Sequence, residues 1–250
     1  MTRALLRHSW RIALLTCLAA ASSWAAATGL QVSPTSLGLK ATQNADGLWL
    51  SNSGDAAVHA QVRVYHWTQD AYGDQRTPSQ ALVISPPMLE IPAGGQQLIR
   101  VIRVGAPPSG TGAVEDAYRL AIDELPVDAP NSPGLHFVVH YSVPVFVEPV
   151  GVTGVAPQLQ WTLQRTGQHA VLVVSNHGNG HAQVADLSFI DAAGRRTTID
   201  PGLLGYVLPG STMHWALKPS AAVFTPGGTL EVLLNGQKTT QNLSLAGGAP

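Results

Sequence analysis

The chain contains little cysteine and little charge. Its 250 residues include one cysteine, and charged residues make up 12% of the sequence. The cysteine, Cys17, lies in a short apolar segment near the N-terminus that we expect to be removed. The mature chain would then have no thiol, so we expect a fold without disulfides and without a cysteine nucleophile.

Basic clusters and catalytic motifs are also missing. Lys and Arg number 14 against 15 Asp and Glu, without a basic run, which argues against nucleic-acid binding. The sequence has no G-x-S-x-G, H-E-x-x-H or phosphate-loop motif. Acidic neighbours such as Asp123 and Glu124 would point to opposite faces of a strand and could not act as a pair. We therefore predict that the protein is not an enzyme and that it holds no cofactor or metal.

The N-terminus has the parts of an export signal. Arg3, Arg7 and Arg11 give a positive start, Ile12–Ala21 is apolar, and Ala25–Ala27 supplies small residues for cleavage. We predict that residues 1–27 are a signal peptide, with the cleavage site placed to within about two residues. The apolar segment is too short for a comfortable membrane span, so we predict an exported protein that does not insert into the membrane.

Glycine and proline are frequent and separate short apolar runs. The chain has 25 Gly and 18 Pro, and the runs between them alternate, which is typical of an all-β protein. Residues 28–150 hold about seven alternating segments, which predicts an immunoglobulin-like sandwich. In its first segment, Leu30–Leu39, Pro34 would mark an edge or a switch between sheets. We predict a polar loop over Asp70–Ser79.

A second domain follows a short linker. Residues 151–157 are uncharged and contain Gly and Pro, which is typical of a linker. Residues 158–250 repeat the alternation more weakly and predict a second immunoglobulin-like sandwich. There we expect Arg196–Ile199 and Gly205–Leu208 to form separate strands.

The most unusual stretch follows a loop rich in proline. Over residues 135–147 every second residue is apolar: Leu135, Phe137, Val139, Tyr141, Val143, Val145 and Val147. On a strand these side chains share one face, and the run is longer than the usual strand of about 5–6 residues. Pro144 cannot donate a ladder hydrogen bond, so we expect the strand to lie at an edge or to bend there. A long apolar edge strand invites another chain to pair with it.

Four segments carry a resemblance to a known family. They are SPPMLEIP at Ser85–Pro92, GGQQLIRV at Gly94–Val101, EDAYRLAIDELP at Glu115–Pro126 and HYSVPVFV at His140–Val147. Together they resemble the PapD-like periplasmic chaperones of the chaperone–usher pilus pathway, and the last two resemble its archaic branch. Order and spacing agree across residues 30–150, whereas the second domain is similar only in size and type.

The resemblance implies a function. Such chaperones stabilise incomplete pilus subunits in the periplasm by lending them an edge strand, and they deliver them to an outer-membrane usher. It implies that Leu135, Phe137 and Val139, with Tyr141 as the fourth, enter the subunit. It also implies two sandwiches in an L or boomerang, with a cleft near residues 151–157. A free chaperone could cap its edge by dimerising.

Family chaperones also hold the subunit's C-terminal carboxylate with basic residues in the cleft. The classical branch uses an Arg on the first strand and a Lys on the donor strand. Here the first strand, Val32–Leu37, has no basic residue, and the donor strand has no Lys or Arg. Arg119 and His140 are the candidate replacements.

Two other functions remain open at this stage. His177 and His181 flank a Gly- and Asn-rich turn that could hold copper or zinc, although no third ligand is evident. A structural pilus subunit is the other alternative. The two complete domains and the missing cysteine argue against it.

Overall fold

The structure, a computed structural model, describes residues 29–126 and 138–245. The predicted signal peptide and the candidate donor residues Leu135 and Phe137 lie outside these ranges. The first ten strands are β1 Leu30–Ser33, β2 Leu37–Leu39, β3 Ala45–Asn52, β4 Val58–Asp70, β5 Gly73–Pro78, β6 Leu82–Ser85, β7 Met88–Ile91, β8 Gln96–Arg103, β9 Asp116–Leu125 and β10 His140–Val147.

Eight further strands follow. They are β11 Leu159–Thr166, β12 His169–Asn176, β13 Ala182–Ile190, β14 Arg196–Val207, β15 Thr212–Leu217, β16 Thr229–Leu234, β17 Gln237–Asn242 and β18 Ser244–Leu245, with a 3-10 turn at Ala221–Val223. Within the described ranges, no helix is long and apolar enough to cross a membrane.

The strands form four sheets, two for each half of the chain. The first half has the orders β1-β3-β8-β6 and β2-β10-β9-β4-β5, with β7 added to β4. The second half has the orders β15-β12-β11-β18 and β14-β13-β16-β17. The predicted fold class, all-β with two sandwiches, is confirmed.

Alternation along the strands builds a separate core in each sandwich. In the first, Leu50, Ile99, Leu120 and Val145 are fully buried, because each lies on the inward face of its strand. In the second, the equivalent fully buried residues are Leu163, Leu172, Val184 and Leu230. These cores supply the apolar burial that replaces disulfides.

Two local predictions have different outcomes. The switch at Pro34 is confirmed, because β1 pairs with β3 in one sheet and β2 pairs with β10 in the other. The polar loop predicted over Asp70–Ser79 is wrong. β4 runs to Asp70 and turns back into β5, whose pairing is made by the main chain. Five of the six β5 side chains are exposed, so no apolar alternation signalled the strand.

A buried asparagine closes a corner in each sandwich. Asn52 follows Ser51 and precedes Ser53-Gly54, and Asn176 stands in the matching sequence Ser175-Asn-His-Gly178. Both are 1% exposed. The Asn52 amide donates to the carbonyls of Ala56, Ile91 and Pro92, and its oxygen accepts from the Gly54 N–H.

The Asn176 amide donates to Gly180 O and Val207 O, and its oxygen accepts from the N–H groups of Gly178 and Gln158. Such a buried amide forms hydrogen bonds with backbone groups of a loop that have no partner in either sheet, and it thereby fixes the loop.

Replacing Asn52 by alanine should therefore be costly. Asn52→Ala leaves buried backbone groups unpaired, and we expect the free energy of unfolding to fall by about 2–4 kcal/mol. Urea unfolding of the purified protein measures this. Asn242→Ala, at an exposed asparagine without a side-chain hydrogen bond among the described residues, is the matched control and should cost about 0.5 kcal/mol or less. Equal effects of the two variants would contradict a structural role for the Asn52 amide.

Candidate functional site

Strand β10 has one open edge. Along its whole length, His140–Val147, it pairs antiparallel with β9. On its other edge β2 pairs only with Val145–Val147. Among the described residues, His140–Pro144 therefore has no strand partner on that side. The expected edge position of Pro144 is confirmed, and the open edge offers main-chain groups to another strand.

The apolar face of β10 continues the core of its own domain. Val143, Val145 and Val147 are at most 3% exposed. Tyr141 is half-buried against the same core, and its hydroxyl donates to Leu30 O at 2.6 Å. This contact argues against insertion of Tyr141 into a partner. Val139, the next residue on this face, is half-buried, and the candidate donor residues Leu135 and Phe137 that precede it lie outside the described ranges.

Two carboxylates of β9 hold the start of β10. The Val139 N–H donates to Glu124 Oε2 at 3.0 Å, and the Glu124 N–H donates to Val139 O at 3.0 Å. Asp123 Oδ1 lies 2.5 Å from His140 Nδ1, and Asp123 Oδ2 lies 2.7 Å from Arg63 Nη2. Burial acts to raise the pKa of Asp123, but the hydrogen bonds from Arg63 and His140 outweigh it and hold that pKa below its ordinary value.

The predicted role of His140 as a carboxylate anchor does not agree with this arrangement. Its ring faces Asp123, to which it is paired in the sheet, whereas Arg119 is paired with Pro144. Four residues of strand separate the two positions by about 13 Å, so the structure does not bring His140 and Arg119 together.

Arg119 is buried between two aromatic rings. Its guanidinium carbon lies 3.7 Å from the ring centroid of Trp67 and 4.9 Å from that of Tyr206. The residue is 9% exposed. Its Nη1 donates a long hydrogen bond to Ser142 O, at 3.4 Å, and its Nε has no partner within the described ranges. Burial lowers the pKa of Arg119, because desolvation penalises the charged form.

The acidic residues near Arg119 in sequence are bound elsewhere. Glu115 contacts His181, Asp116 contacts His66 and Tyr118, and Asp123 contacts Arg63 and His140. In the part of the chain that is described, no carboxylate forms a salt bridge with Arg119. Asp74 lines the same cleft as Arg119 and acts on it through space, but among the described residues it forms no salt bridge with it, so the guanidinium still has N–H groups for an external anion.

Arg119 lies in a cleft between the two sandwiches. The cleft has a volume of about 550 Å³, and the first sandwich lines it with Thr35, Ser36, Asp74, Arg119, Ser142 and Pro144. Leu203, Met213 and Trp215 line it from the second. A cleft at a domain interface that combines charged and polar side chains, among them Arg119 and Asp74, with an apolar group has the general features of a ligand site.

The domain interface that forms this cleft is well packed. Trp67, Ala117 and Phe146 form a buried cluster with Tyr206 and Leu208 of the second sandwich. Phe146 lies on the face of β10 opposite to Val145 and Val147, so the alternation of apolar residues gave it no role. An aromatic residue on that face was the available signal.

Hydrogen bonds join the same interface. The Gln69 amide donates to Tyr206 O at 2.9 Å, and its oxygen accepts from the Leu208 N–H at 2.8 Å. His181 Nδ1 lies 2.6 Å from Glu115 Oε2, and its ring stacks on Phe146 at 3.5 Å.

His181, considered above as a metal ligand, thus makes an interdomain contact. The described residues contain no group of three His, Cys, Asp or Glu that could hold a metal ion.

The two sandwiches and the open-edged strand define a class of two-domain β-sandwich proteins. The family model for pili and flagellar-assembly chaperones, PapD N-terminal domain, matches residues 29–153. The chain therefore belongs to this chaperone family. No match was found among curated protein sequences.

Solved structures show the same fold. A chain of the CsuC–CsuE chaperone–tip adhesion subunit pre-assembly complex, from the archaic chaperone–usher Csu pili of Acinetobacter baumannii, has a TM-score of 0.65 at 23% identity, over 87% of this chain and 99% of that one. The Pseudomonas aeruginosa CupB2 chaperone has a TM-score of 0.60 at 19% identity, over 86% and 100%. A chain of the Salmonella enterica SafA pilin–SafB chaperone complex has 0.57 at 19%, over 85% and 94%.

The Asp123 contacts predict a pH-dependent stability. Because the folded-state pKa of Asp123 is lowered, its contribution is present above the unfolded value of about 3.9 and is lost as the pH falls through the folded value. Asp123→Asn should therefore be less stable than the parent at about pH 7, and the difference should shrink below about pH 3.9. Thermal unfolding across this range measures it, and a pH-independent difference would contradict it.

Proposed function

We propose that this protein is a periplasmic chaperone that completes pilus subunits by donor-strand complementation and delivers them to an outer-membrane usher. The observation that carries the proposal is the open edge of β10 over His140–Pro144, on a strand whose apolar face extends toward Val139. The motifs at Glu115–Pro126 and His140–Val147 favour the archaic branch. Complexes of a chaperone with a tip adhesion subunit and with a pilin, among the structures of similar fold, support subunits as partners.

The mechanism combines main-chain pairing with side-chain burial. A subunit strand would pair with the open edge of β10, while Leu135, Phe137 and Val139 would fill pockets in the subunit. Burying each of these side chains stabilises a complex by roughly 1.5–3 kcal/mol. Without a subunit, the same edge would pair with a second copy, which would appear as a concentration-dependent dimer.

Arg119 would anchor the subunit's C-terminal carboxylate. Its guanidinium is buried, charged and without a salt bridge among the described residues, and a planar carboxylate can accept two of its N–H groups at once. An anchor at Arg119 would fix the register of the subunit along β10. Arg119 on β9 is paired with Pro144 on β10, so the end of the subunit would be held at that position of the strand.

Charged substitutions on one face of this strand should separate by position. Phe137→Asp should leave the free protein folded and abolish recovery of a co-expressed pilus subunit from the periplasm, because the charge would be buried only in the complex. Val145→Asp should unfold the chaperone itself, since Val145 is fully buried in its own core. Melting temperature and subunit recovery are the two measurements. Equal loss of melting temperature in both variants would show that Phe137 belongs to the protein's own core.

The amount of subunit captured should depend on the guanidinium shape of Arg119 as well as on its charge. Arg119→Ala should reduce the amount of subunit bound, and Arg119→Lys should restore it only in part, because lysine cannot bind a carboxylate in the same bidentate way. Arg100→Ala, at an exposed arginine of β8, is the control and should capture normally. If Arg119→Ala lowers the melting temperature and leaves capture unchanged, the guanidinium has only a structural role.

A further inference from the structure

The cleft beside Arg119 has an apolar wall that belongs to the second sandwich. Leu203 is 57% exposed, which is unusual for a leucine on a strand, and it lines the cleft with Met213 and Trp215. Met213 and Trp215 are half-buried and pack against the core behind them. Exposed apolar side chains gathered in a concave site mark a binding surface more often than a structural one.

The backbone of β14 is shaped to present this wall. Val184 pairs with Gly205 and Ala185 pairs with Leu203, so Leu204 is an extra residue, a β-bulge. Bulges redirect side chains and are frequent beside functional sites.

Gly205 allows the wall to form. A Cβ at this position would lie 3.1 Å from Cζ2 and 3.2 Å from Nε1 of Trp215. The indole therefore lies against the backbone of β14, and a larger residue at 205 would push it away. The ring is held in place before any ligand binds.

From these contacts we propose that the cleft selects a large apolar side chain at the C-terminus of its partner subunit. The inference rests on the proposed function, since it takes the α-carboxylate of that terminal residue to be bound by Arg119. The first sandwich contributes Arg119, a buried cation without a salt bridge in the described ranges, together with Asp74, and the second sandwich contributes Leu203, Met213 and Trp215. A ligand that carries a carboxylate and an apolar side chain on the same carbon atom could bind Arg119 with the first and contact the apolar residues with the second. In a polypeptide, only the C-terminal residue has both groups on one carbon atom.

Synthetic peptides test the selection directly. Acetylated pentapeptides that differ only in the last residue are titrated into the full mature protein by calorimetry: one ends in Phe with a free carboxylate, one in Ser with a free carboxylate, and one in Phe amide. We expect the Phe acid to bind roughly tenfold or more tightly than the Ser acid, because only Phe buries its side chain on the wall. The absence of binding by the Phe acid at millimolar concentration would overturn the inference.

Variants locate the preference on this wall. Leu203→Ser and Trp215→Ala should bring the ratio of Phe-acid to Ser-acid affinity close to one. Met88→Ser and Trp49→Ala are the matched controls, since Met88 and Trp49 are exposed at 59% and 44% outside the cleft, and they should keep the ratio. Because Leu203 and Met88 are both exposed, the serine substitutions at these two positions remove no core packing. A ratio unchanged by Leu203→Ser and Trp215→Ala would overturn the inference.

The peptide set separates this inference from the proposed anchor. If Phe and Ser acids bind equally and both bind better than the amide, the carboxylate anchor stands and selection by the apolar wall is wrong. If the Phe acid and the Phe amide bind equally, Arg119 is not the anchor, and selection of a terminal residue is wrong with it.

Discussion

The position of one buried guanidinium constrains the rest of the structure. Arg119 leaves strand β9 of the first sandwich and lies between Trp67 of its own domain and Tyr206 of the other. Cation–π contacts of this kind are worth about 0.5–2 kcal/mol each, which offsets only part of the cost of removing a charge from water. The two domains therefore meet around a group that is still short of a partner, and a carboxylate ligand would supply it.

Strand β10 meets two demands that conflict along its length. Its C-terminal half, Val143–Val147, must close the sandwich and is buried. Its N-terminal half must stay unpaired on one edge if another chain is to join it, and such an edge is an aggregation hazard. The contacts of Asp123 and Glu124 with His140 and Val139 resolve part of the conflict, because they hold the start of the strand in register on β9 while its other edge stays open.

The sequence supported the local features of this site and missed those that depend on long-range pairing. Alternation from Leu135 to Val147 predicted the strand and its apolar face, and the absence of Lys and Arg from the first strand and the donor strand pointed to Arg119 and His140. The pairing of His140 with Asp123, seventeen positions earlier in the chain, depends on sheet register, which no local pattern reveals. The partners that surround Arg119 come from β4 and β14, so the stack of Trp67 and Tyr206 could not be predicted. Strand β5 was missed because an exposed edge strand needs no apolar side chains.

The two sides of the cleft also differ in whether they lie in the part of the chain that matches the family model. Strand β10 and Arg119 lie within residues 29–153, the part of the chain that matches the chaperone family model. Leu203, Met213 and Trp215 lie outside it, in the second sandwich. The proposed main-chain pairing and carboxylate binding would suit any subunit, because every strand and every C-terminus offers the same groups. Discrimination between subunits needs contacts that differ, and the wall formed by the second sandwich is where such contacts could change without disturbing the proposed mechanism of capture.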